Sequence, residues 1–188
     1  MAPKIASLLI ELVAENEFAK RPVLVFTSHS AGGVVATMLY AHMLKVPNSI
    51  LTPFMDNFAT YLCITFGAPP ITFPPLNFFF ARSTLILFVN EGDPIPKCDR
   101  EYVNSLLRLW VSPMPKGEVE WPLPEPVLEN SGAVIGIPKA TDEEGCSVFV
   151  MMDESGEDRL EARIFGDPKA HKMDLYLRKV QLVEVGQE

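Results

Sequence analysis

The sequence predicts an α/β fold in which a mostly parallel sheet is flanked by helices. Three short stretches, at residues 23–27, 59–66 and 84–89, are continuously apolar and rich in β-branched or aromatic residues, as strands buried on both faces of a parallel sheet are. A helical pattern over residues 31–45 separates the first two, as a parallel strand pair requires. The chain of 188 residues is long enough for a hydrophobic core, and we assign residues 1–188 to a single domain.

Two helical patterns surround the first predicted strand. Apolar residues recur with helical spacing over residues 4–19 and leave polar residues on the other face, which predicts an amphipathic helix. Residues 31–45 are apolar on nearly every side, and a helix of that kind is expected to be buried. Three successive phenylalanines at 78–80 lie in a connection between strands and are expected to pack against the rest of the protein.

The composition of the chain changes near residue 112. Residues 112–126 are rich in proline and predict a surface excursion. Three segments that resemble antiparallel strands follow, of which the first is AVIGI at 133–137. The last two are joined by the turn-forming stretch DESGED, so we predict an antiparallel hairpin over residues 146–165 near the C-terminus. The pattern over residues 172–185 predicts a terminal helix or a mixed segment.

The charge and hydropathy of the chain exclude several classes of function. The formal net charge is −8 and there is no stripe of clustered Lys and Arg, so we predict no nucleic-acid partner. With 48% hydrophobic and 21% charged residues, the chain is expected to be globular instead of disordered. No apolar run is long enough to cross a bilayer, and Glu11 interrupts the short apolar stretch near the start, which argues against a signal peptide. We therefore expect a cytoplasmic protein with no transmembrane segment.

The three cysteines give no evidence of a metal centre. No pair has the spacing of metal ligands, and we predict neither a metal site nor a cofactor. Cys63 lies in an apolar run and is expected to be a small core residue. A disulfide between Cys98 and Cys146 has little support in a chain with no secretory signal.

The stretch Ser28-His29-Ser30-Ala31-Gly32 lies between the first strand and the helix that follows it. In the Gly-x-Ser-x-Gly nucleophile elbow, a sharp turn in this position lifts a serine hydroxyl above the sheet. The turn is so tight that the residues two before and two after the serine must be small. Ser28 and Gly32 meet this condition, although Ser28 departs from the glycine of the motif. An ordinary strand-to-helix loop is the alternative interpretation.

A nucleophilic serine needs a base, and the chain has three histidines. The imidazole takes the serine proton, and a carboxylate holds the imidazole in the correct tautomer. His29 adjoins Ser30 and cannot easily point back at its hydroxyl, while His42 lies in the predicted buried helix, where a core role is favoured. His171 follows the predicted hairpin and is the favoured base, with an exposed loop histidine as the alternative.

The carboxylate is expected at the carboxyl end of a parallel strand, where the active sites of such sheets form. Asp93 follows the third strand in the stretch NEGDPIP, and Gly92 and Pro94 set a turn around it. Glu91 and Asp99 are rivals in the same loop. We prefer Asp93 as the acid, with a turn-stabilising aspartate as the alternative.

These stretches resemble the class 3 lipases, a fungal-type lipase and feruloyl esterase family of the α/β-hydrolase superfamily. The family's GHSLGGA elbow, its TFGxP stretch, its DPVP-like acid loop and its final HxxYF have counterparts here in the same order: SHSAGGV at 28–34, TFGAP at 65–69, EGDPIP at 91–96 and HKMDLYL at 171–177, with a longer gap to the tyrosine. The resemblance implies that Ser30 is the nucleophile, Asp93 the acid and His171 the base. It also implies that the backbone N–H of Ala31 belongs to the oxyanion hole.

The resemblance covers roughly residues 5–178 and implies a partial α/β-hydrolase fold. It implies a serine hydrolase that acts on a small-molecule carboxylic ester, such as a lipid or other acyl ester. The family's first strands and the loop with its second oxyanion donor have no counterpart in residues 1–22, so we expect an N-terminally incomplete domain that self-associates through an exposed sheet edge. Two alternatives stay open: a lipase-like binding or regulatory module with weak or no catalysis, and an incomplete product without a function of its own.

Overall fold

The structure is a computed structural model that describes residues 1–15, 20–76, 78, 82–111, 125–138, 150–152 and 166–185. Its described part contains a five-stranded sheet whose strand order follows the chain: β1 (Val23–His29), β2 (Thr60–Phe66), β3 (Ser83–Asn90), β4 (Ala133–Ile137) and β5 (Val150–Met152). Strands β1 to β4 are parallel to one another, and β5 lies antiparallel to β4. This arrangement confirms the prediction of a mostly parallel sheet.

Helices flank the sheet: α1 (Ala2–Glu15), α2 (Ala31–Lys45), α3 (Arg100–Val111) and α4 (Met173–Val185). Helix α2 connects β1 to β2 and packs on both strands, as in a βαβ unit. The prediction that α2 is buried holds for one face only: Tyr40 and Met43 are buried, whereas Val35 and Met38 are 37% and 50% exposed. Apolar residues also occupy protein surfaces, and periodicity alone does not reveal which ones do. Within the described ranges, no helix is long and apolar enough to span a bilayer.

The main core lies between the sheet and helices α1 and α2. Alternate residues of neighbouring strands share the face toward these helices, since Phe26 is aligned with Cys63 and Cys63 with Leu85. Cys63 is fully buried, and burial raises the pKa of its thiol to about 11. Phe78 packs edge-on against Tyr40, with ring centroids 4.9 Å apart. The largest fully buried apolar side chains of this core are Tyr40, Tyr61, Phe58, Met43 and Leu51.

The C-terminal half differs from the prediction in two respects. The segment AVIGI, predicted as an antiparallel strand, is β4 and lies parallel to β3, with Gly136 aligned with Val89. The predicted hairpin over 146–165 is not supported, because its described residues 150–152 pair with β4 and the rest lies outside the described residues. A short apolar segment does not encode its own strand direction, which depends on the connection that precedes it.

The carboxyl ends of the parallel strands lie side by side at one end of the sheet. The register aligns His29, the last residue of β1, with Phe66, the last residue of β2. The loops after the first three strands carry Ser30, Gly67 and Asp93 respectively. These three residues are far apart in the sequence but lie at the carboxyl ends of neighbouring strands, where the sites of open α/β sheets form.

Candidate active site

Ser30 lies in a sharp turn between β1 and α2. Its backbone has φ 57° and ψ −134°, and a positive φ is uncommon and strained for a residue other than glycine. The Ser30 N–H donates to the Phe66 carbonyl at 2.9 Å, and the Gly33 N–H donates to the Ser30 carbonyl at 2.8 Å. A strained serine held between a strand and a helix has the backbone geometry of a nucleophile elbow and not that of a relaxed loop.

Small residues on either side of Ser30 make the tight turn feasible. A Cβ atom on Gly32 would lie 2.2 Å from the Ser28 Oγ, and one on Gly33 would lie 2.6 Å from the Ala68 Cβ. The start of α2 therefore packs directly on the end of β1 and on the loop after β2. The Ser28 hydroxyl fills the space that Gly32 leaves open.

The structure brings together the three side chains that the sequence nominates. The Ser30 Oγ lies 2.8 Å from His171 Nε2, and His171 Nδ1 lies 2.9 Å from Asp93 Oδ2 and 3.1 Å from Asp93 Oδ1. Because a carboxylate only accepts hydrogen bonds, Nδ1 carries the proton and Nε2 is free to accept the proton of Ser30. The Asp93 side chain is fully buried and the His171 side chain is 20% exposed, so solvent reaches the imidazole but not the acid.

Asp93 is surrounded by hydrogen-bond donors in addition to His171. The Ile95 N–H donates to Oδ1 at 2.9 Å, and the Tyr176 hydroxyl donates to Oδ2 at 2.7 Å. The Tyr176 hydroxyl in turn accepts the Asn90 N–H at 2.9 Å. Burial, together with the negative charge of Asp93, raises the pKa of the Tyr176 phenol, so this hydroxyl remains a donor to the carboxylate.

Gly67, in the stretch TFGAP, lies beside the Asp93 carboxylate and the two side chains that donate hydrogen bonds to its Oδ2. It has φ 55°, and a Cβ atom there would lie 2.6 Å from Asp93 Oδ2. The same Cβ atom would lie 3.0 Å from both His171 Nδ1 and the Tyr176 hydroxyl. A side chain at this position would therefore occupy the space in which three polar groups meet. The Gly67 N–H donates to the Phe88 carbonyl at 2.9 Å, which attaches the loop to β3.

The candidate base is carried by the short 3₁₀ turn Pro168–His171. Two links attach this turn to the end of β3: the Asp167 N–H donates to the Gly92 carbonyl at 2.6 Å, and Asn90 Nδ2 donates to the Ala170 carbonyl at 2.9 Å. Asn90 is completely buried, so water does not compete for its hydrogen bond. The base is therefore held beside the acid although 78 positions separate the two in the sequence.

Ala31 is the first residue of α2, and its N–H has no partner among the described residues. The first N–H groups of a helix lack intrahelical acceptors and attract negative charge. The Ala31 N–H directly follows Ser30, so it can donate to an oxyanion that forms on a carbonyl attacked by Ser30. This is the role that the class 3 lipase resemblance implies for Ala31.

Two other titratable residues weighed from the sequence have partners of their own. Asp99 caps the start of α3, and its carboxylate accepts the Tyr102 N–H at 2.8 Å and the Val127 N–H at 2.6 Å. Burial tends to raise the pKa of Asp99, but the backbone donors outweigh burial and the pKa is lowered. His42 Nδ1 lies 2.6 Å from the Ser49 Oγ. Asp99 and His42 therefore have structural roles in this arrangement.

The sequence pattern does not nominate Tyr176, Asn90 or His29 as supporting residues of the site. Each contacts a partner that is distant in the chain, and no local pattern reports such a contact. His29 Nε2, for example, lies 2.6 Å from the carbonyl oxygen of His171. The sequence gives only weak indications of these supporting roles. Tyr176 lies in HKMDLYL, and Asn90 is a polar residue at the end of an apolar strand.

A pocket beside Asp93 has a volume of about 80 Å³. Pockets that hold small-molecule ligands usually have volumes of about 300 Å³ or more, so this pocket is too small for an ester substrate. Its lining includes Asn90, Lys97 and Asn130.

Cys98 is a free thiol whose Sγ donates to the Pro94 carbonyl at 3.3 Å. Cys146, its partner in the disulfide weighed from the sequence, lies outside the described residues. Across the part of the chain that the structure describes, no group of three or more His, Cys, Asp or Glu side chains could hold a metal ion.

Comparison of the sequence with protein-family models and with curated proteins found no match. The resemblance to the class 3 lipases therefore depends on the four short motifs.

Proposed function

We propose that the protein is a serine hydrolase that cleaves carboxylic esters through Ser30, His171 and Asp93. One observation carries the proposal: the Ser30 Oγ lies 2.8 Å from His171 Nε2, while His171 Nδ1 lies 2.9 Å from the buried Asp93 carboxylate. Such distances allow proton transfer between a nucleophile and a base that an acid orients. The positive φ of Ser30 adds support, because strained backbone is expected at a nucleophile elbow.

In the first half of the reaction, His171 Nε2 accepts the hydroxyl proton as the Ser30 Oγ attacks the carbonyl carbon of the ester. A C–O bond forms, the carbonyl π bond opens, and the Ala31 N–H donates to the resulting oxyanion. When the tetrahedral intermediate collapses, the bond to the alkoxide breaks and His171 Nε2 donates its proton to that leaving group. The products of this half are a free alcohol and an acyl group on Ser30.

In the second half, a water molecule takes the position of the alcohol. His171 Nε2 accepts a water proton while the water oxygen attacks the acyl carbon. When the second intermediate collapses, the bond from the acyl carbon to the Ser30 Oγ breaks and His171 Nε2 returns its proton to Oγ, which releases the carboxylic acid and restores the Ser30 hydroxyl. Asp93 does not take the proton in either half. It holds Nδ1–H and stabilises the positive imidazolium, and the donors from Ile95 and Tyr176 keep its carboxylate in place.

The resemblance to the class 3 lipases supports a lipid or other acyl ester as the substrate. The geometry of the triad supports acyl transfer to Ser30, and the choice of an ester over an amide comes from the resemblance. The acyl chain and the alcohol contact other parts of such a site. The net charge of −8 disfavours a strongly anionic substrate through long-range repulsion.

The first prediction concerns covalent labelling of Ser30. A fluorophosphonate reacts with a serine whose proton an adjacent imidazole accepts, so the wild-type chain is expected to be labelled and Ser30→Ala is not. Hydrolysis of p-nitrophenyl butyrate by Ser30→Ala is expected to fall by on the order of 10⁴-fold or more. In-gel fluorescence measures the labelling, and mass spectrometry of the labelled peptide identifies the serine.

Ser7→Ala is the matched control, because the Ser7 hydroxyl is exposed on α1 and donates to the Pro3 carbonyl. This variant is expected to react like the wild type. A wild-type chain that is folded by circular dichroism but neither reacts with the probe nor hydrolyses the ester contradicts the proposal and favours a lipase-like binding or regulatory module. Labelling that persists in Ser30→Ala also contradicts it.

A further inference from the structure

His29 is the last residue of β1 and directly precedes Ser30. Its Nε2 lies 2.6 Å from the backbone carbonyl oxygen of His171. A carbonyl oxygen only accepts hydrogen bonds, so Nε2 carries the proton and donates it. This hydrogen bond joins the residue before the candidate nucleophile to the backbone of the candidate base across 142 positions of sequence.

The two imidazole rings are also in contact. Their centroids lie 4.5 Å apart with an interplanar angle of 30°, and the Tyr176 ring lies edge-on to His29 at 5.9 Å. Both ring nitrogens of His171 are engaged, one by Ser30 and the other by Asp93. His29 contacts two other parts of His171, which are the face of its ring and its backbone carbonyl oxygen.

We propose that His29 is a positioning residue that holds His171 within reach of Ser30. The inference rests on the proposed function, since a positioning residue has meaning only if His171 is the base. His29 acts through His171, because its Nε2 donates to the His171 carbonyl oxygen while the nitrogen that lies against the Ser30 Oγ, at 2.8 Å, is His171 Nε2. A displacement of about 1 Å at a catalytic group can cost on the order of 10²-fold in rate, so loss of this hydrogen bond should be measurable.

Three substitutions separate the hydrogen bond from the ring contact, and they form the second prediction. His29→Phe keeps a flat ring without a donor, His29→Gln keeps an N–H donor without the ring, and His29→Ala removes both. For p-nitrophenyl butyrate, kcat is expected to fall by on the order of 10²-fold in His29→Ala and by less in His29→Gln. KM is expected to stay within about twofold of the wild type, because a misplaced base weakens the transition state and not substrate binding.

His42→Gln is the matched control, because the His42 ring pairs with Ser49 and contacts no member of the triad. Its kcat is expected to equal that of the wild type. A readout independent of turnover is the long-range ¹H–¹⁵N NMR spectrum of the three histidines, each assigned by its substitution. The neutral form of His29 is expected as the Nε2–H tautomer, and that of His171 as the Nδ1–H tautomer.

Wild-type kcat in both His29→Phe and His29→Ala would overturn the inference, and so would an Nδ1–H tautomer at His29. A wild-type chain that shows the expected tautomers but neither reacts with a fluorophosphonate nor hydrolyses the ester would overturn the proposed function instead. The two failures are therefore distinguishable.

Discussion

Gly67 has no side chain, and the acid, the base and Tyr176 use the space that a side chain would take. A Cβ atom there would lie 2.6 Å from Asp93 Oδ2, so Gly67→Ala must push the carboxylate away from His171. We expect kcat for p-nitrophenyl butyrate to fall by on the order of 10²-fold or more. Gly67→Ala should also lower the free energy of unfolding by about 1 kcal/mol or more, because alanine is strained at the positive φ of this position. Thermal unfolding measures this loss.

Gly92→Ala is the control for this third prediction. Gly92 has φ 84°, but the nearest atom to its added Cβ lies 3.9 Å away, so the substitution strains the backbone without a collision. We expect it to lower stability as Gly67→Ala does and to retain more of kcat. Equal losses of kcat in the two variants would mean that backbone strain, and not the space beside Asp93, decides the effect.

At this scale the sequence predicts some residues of the site and misses others for a physical reason. Ser30, Asp93 and His171 can be nominated because each is a reactive type in a loop after a predicted element, and parallel strands bring such loops together. Tyr176 cannot, because its role depends on hydrogen bonds to Asp93 and Asn90, more than 80 positions away. Contacts of that kind are set by the packing of α4 and leave no local pattern.

Among the elements, the turn between β1 and α2 depends on two small residues that share one space. A Cβ atom on Gly32 would lie 2.2 Å from the Ser28 Oγ, so Gly32→Ala alone should destabilise the turn. Ser28→Gly should be tolerated alone and should relieve much of that cost, because it removes the hydroxyl. A double-mutant cycle measured by urea unfolding is expected to give a coupling energy between about 0.5 and 3 kcal/mol.

Gly33→Ala provides the matched cycle for this fourth prediction. Its added Cβ would lie 2.6 Å from the Ala68 Cβ and not near the Ser28 hydroxyl, so Ser28→Gly should leave its cost unchanged. Additive effects of Ser28→Gly and Gly32→Ala would contradict the packing of this turn as described.

The elements themselves were predictable where the hydrophobic pattern has one interpretation. The apolar stretches at 23–27, 59–66 and 84–89 correspond to β1, β2 and β3, and the pattern at 31–45 corresponds to α2. The direction of β4 was not predictable, because AVIGI has the same composition whether it pairs parallel or antiparallel. Direction follows from the helix α3 that precedes it, since a crossover connection is what a parallel neighbour requires.

At the scale of the whole molecule, strand β1 forms one edge of the described sheet. In the described sheet β1 pairs with β2 on one side, and its Val23 and Val25 are 51% and 47% exposed. An apolar edge strand offers unpaired backbone groups to another chain. The fifth prediction is that the weight-average sedimentation coefficient of the wild-type chain rises with protein concentration, and that Val25→Lys suppresses this rise because charges at an edge disfavour pairing.

Val35→Lys is the control for the edge, because Val35 is an exposed valine of α2 and not of β1. It is expected to self-associate like the wild type. If both lysine variants suppress association equally, net charge explains the effect and the edge does not.

The two links from the end of β3 to the turn that carries His171 bear on how this protein can diverge. They run from Asn90 and Gly92 to Ala170 and Asp167, and Lys179 of α4 also donates to the Ile137 and Pro138 carbonyls at the end of β4. The contacts that place the base therefore come from the ends of β3 and β4. Insertions and deletions between residues 139 and 149 or between 153 and 165, on either side of β5, are then expected to accumulate during evolution without loss of the triad. A single inserted residue within 90–93 or 167–171 would instead carry His171 away from Ser30 and be removed by selection. Relatives of this chain should share these short stretches at fixed length, joined by a segment of variable length.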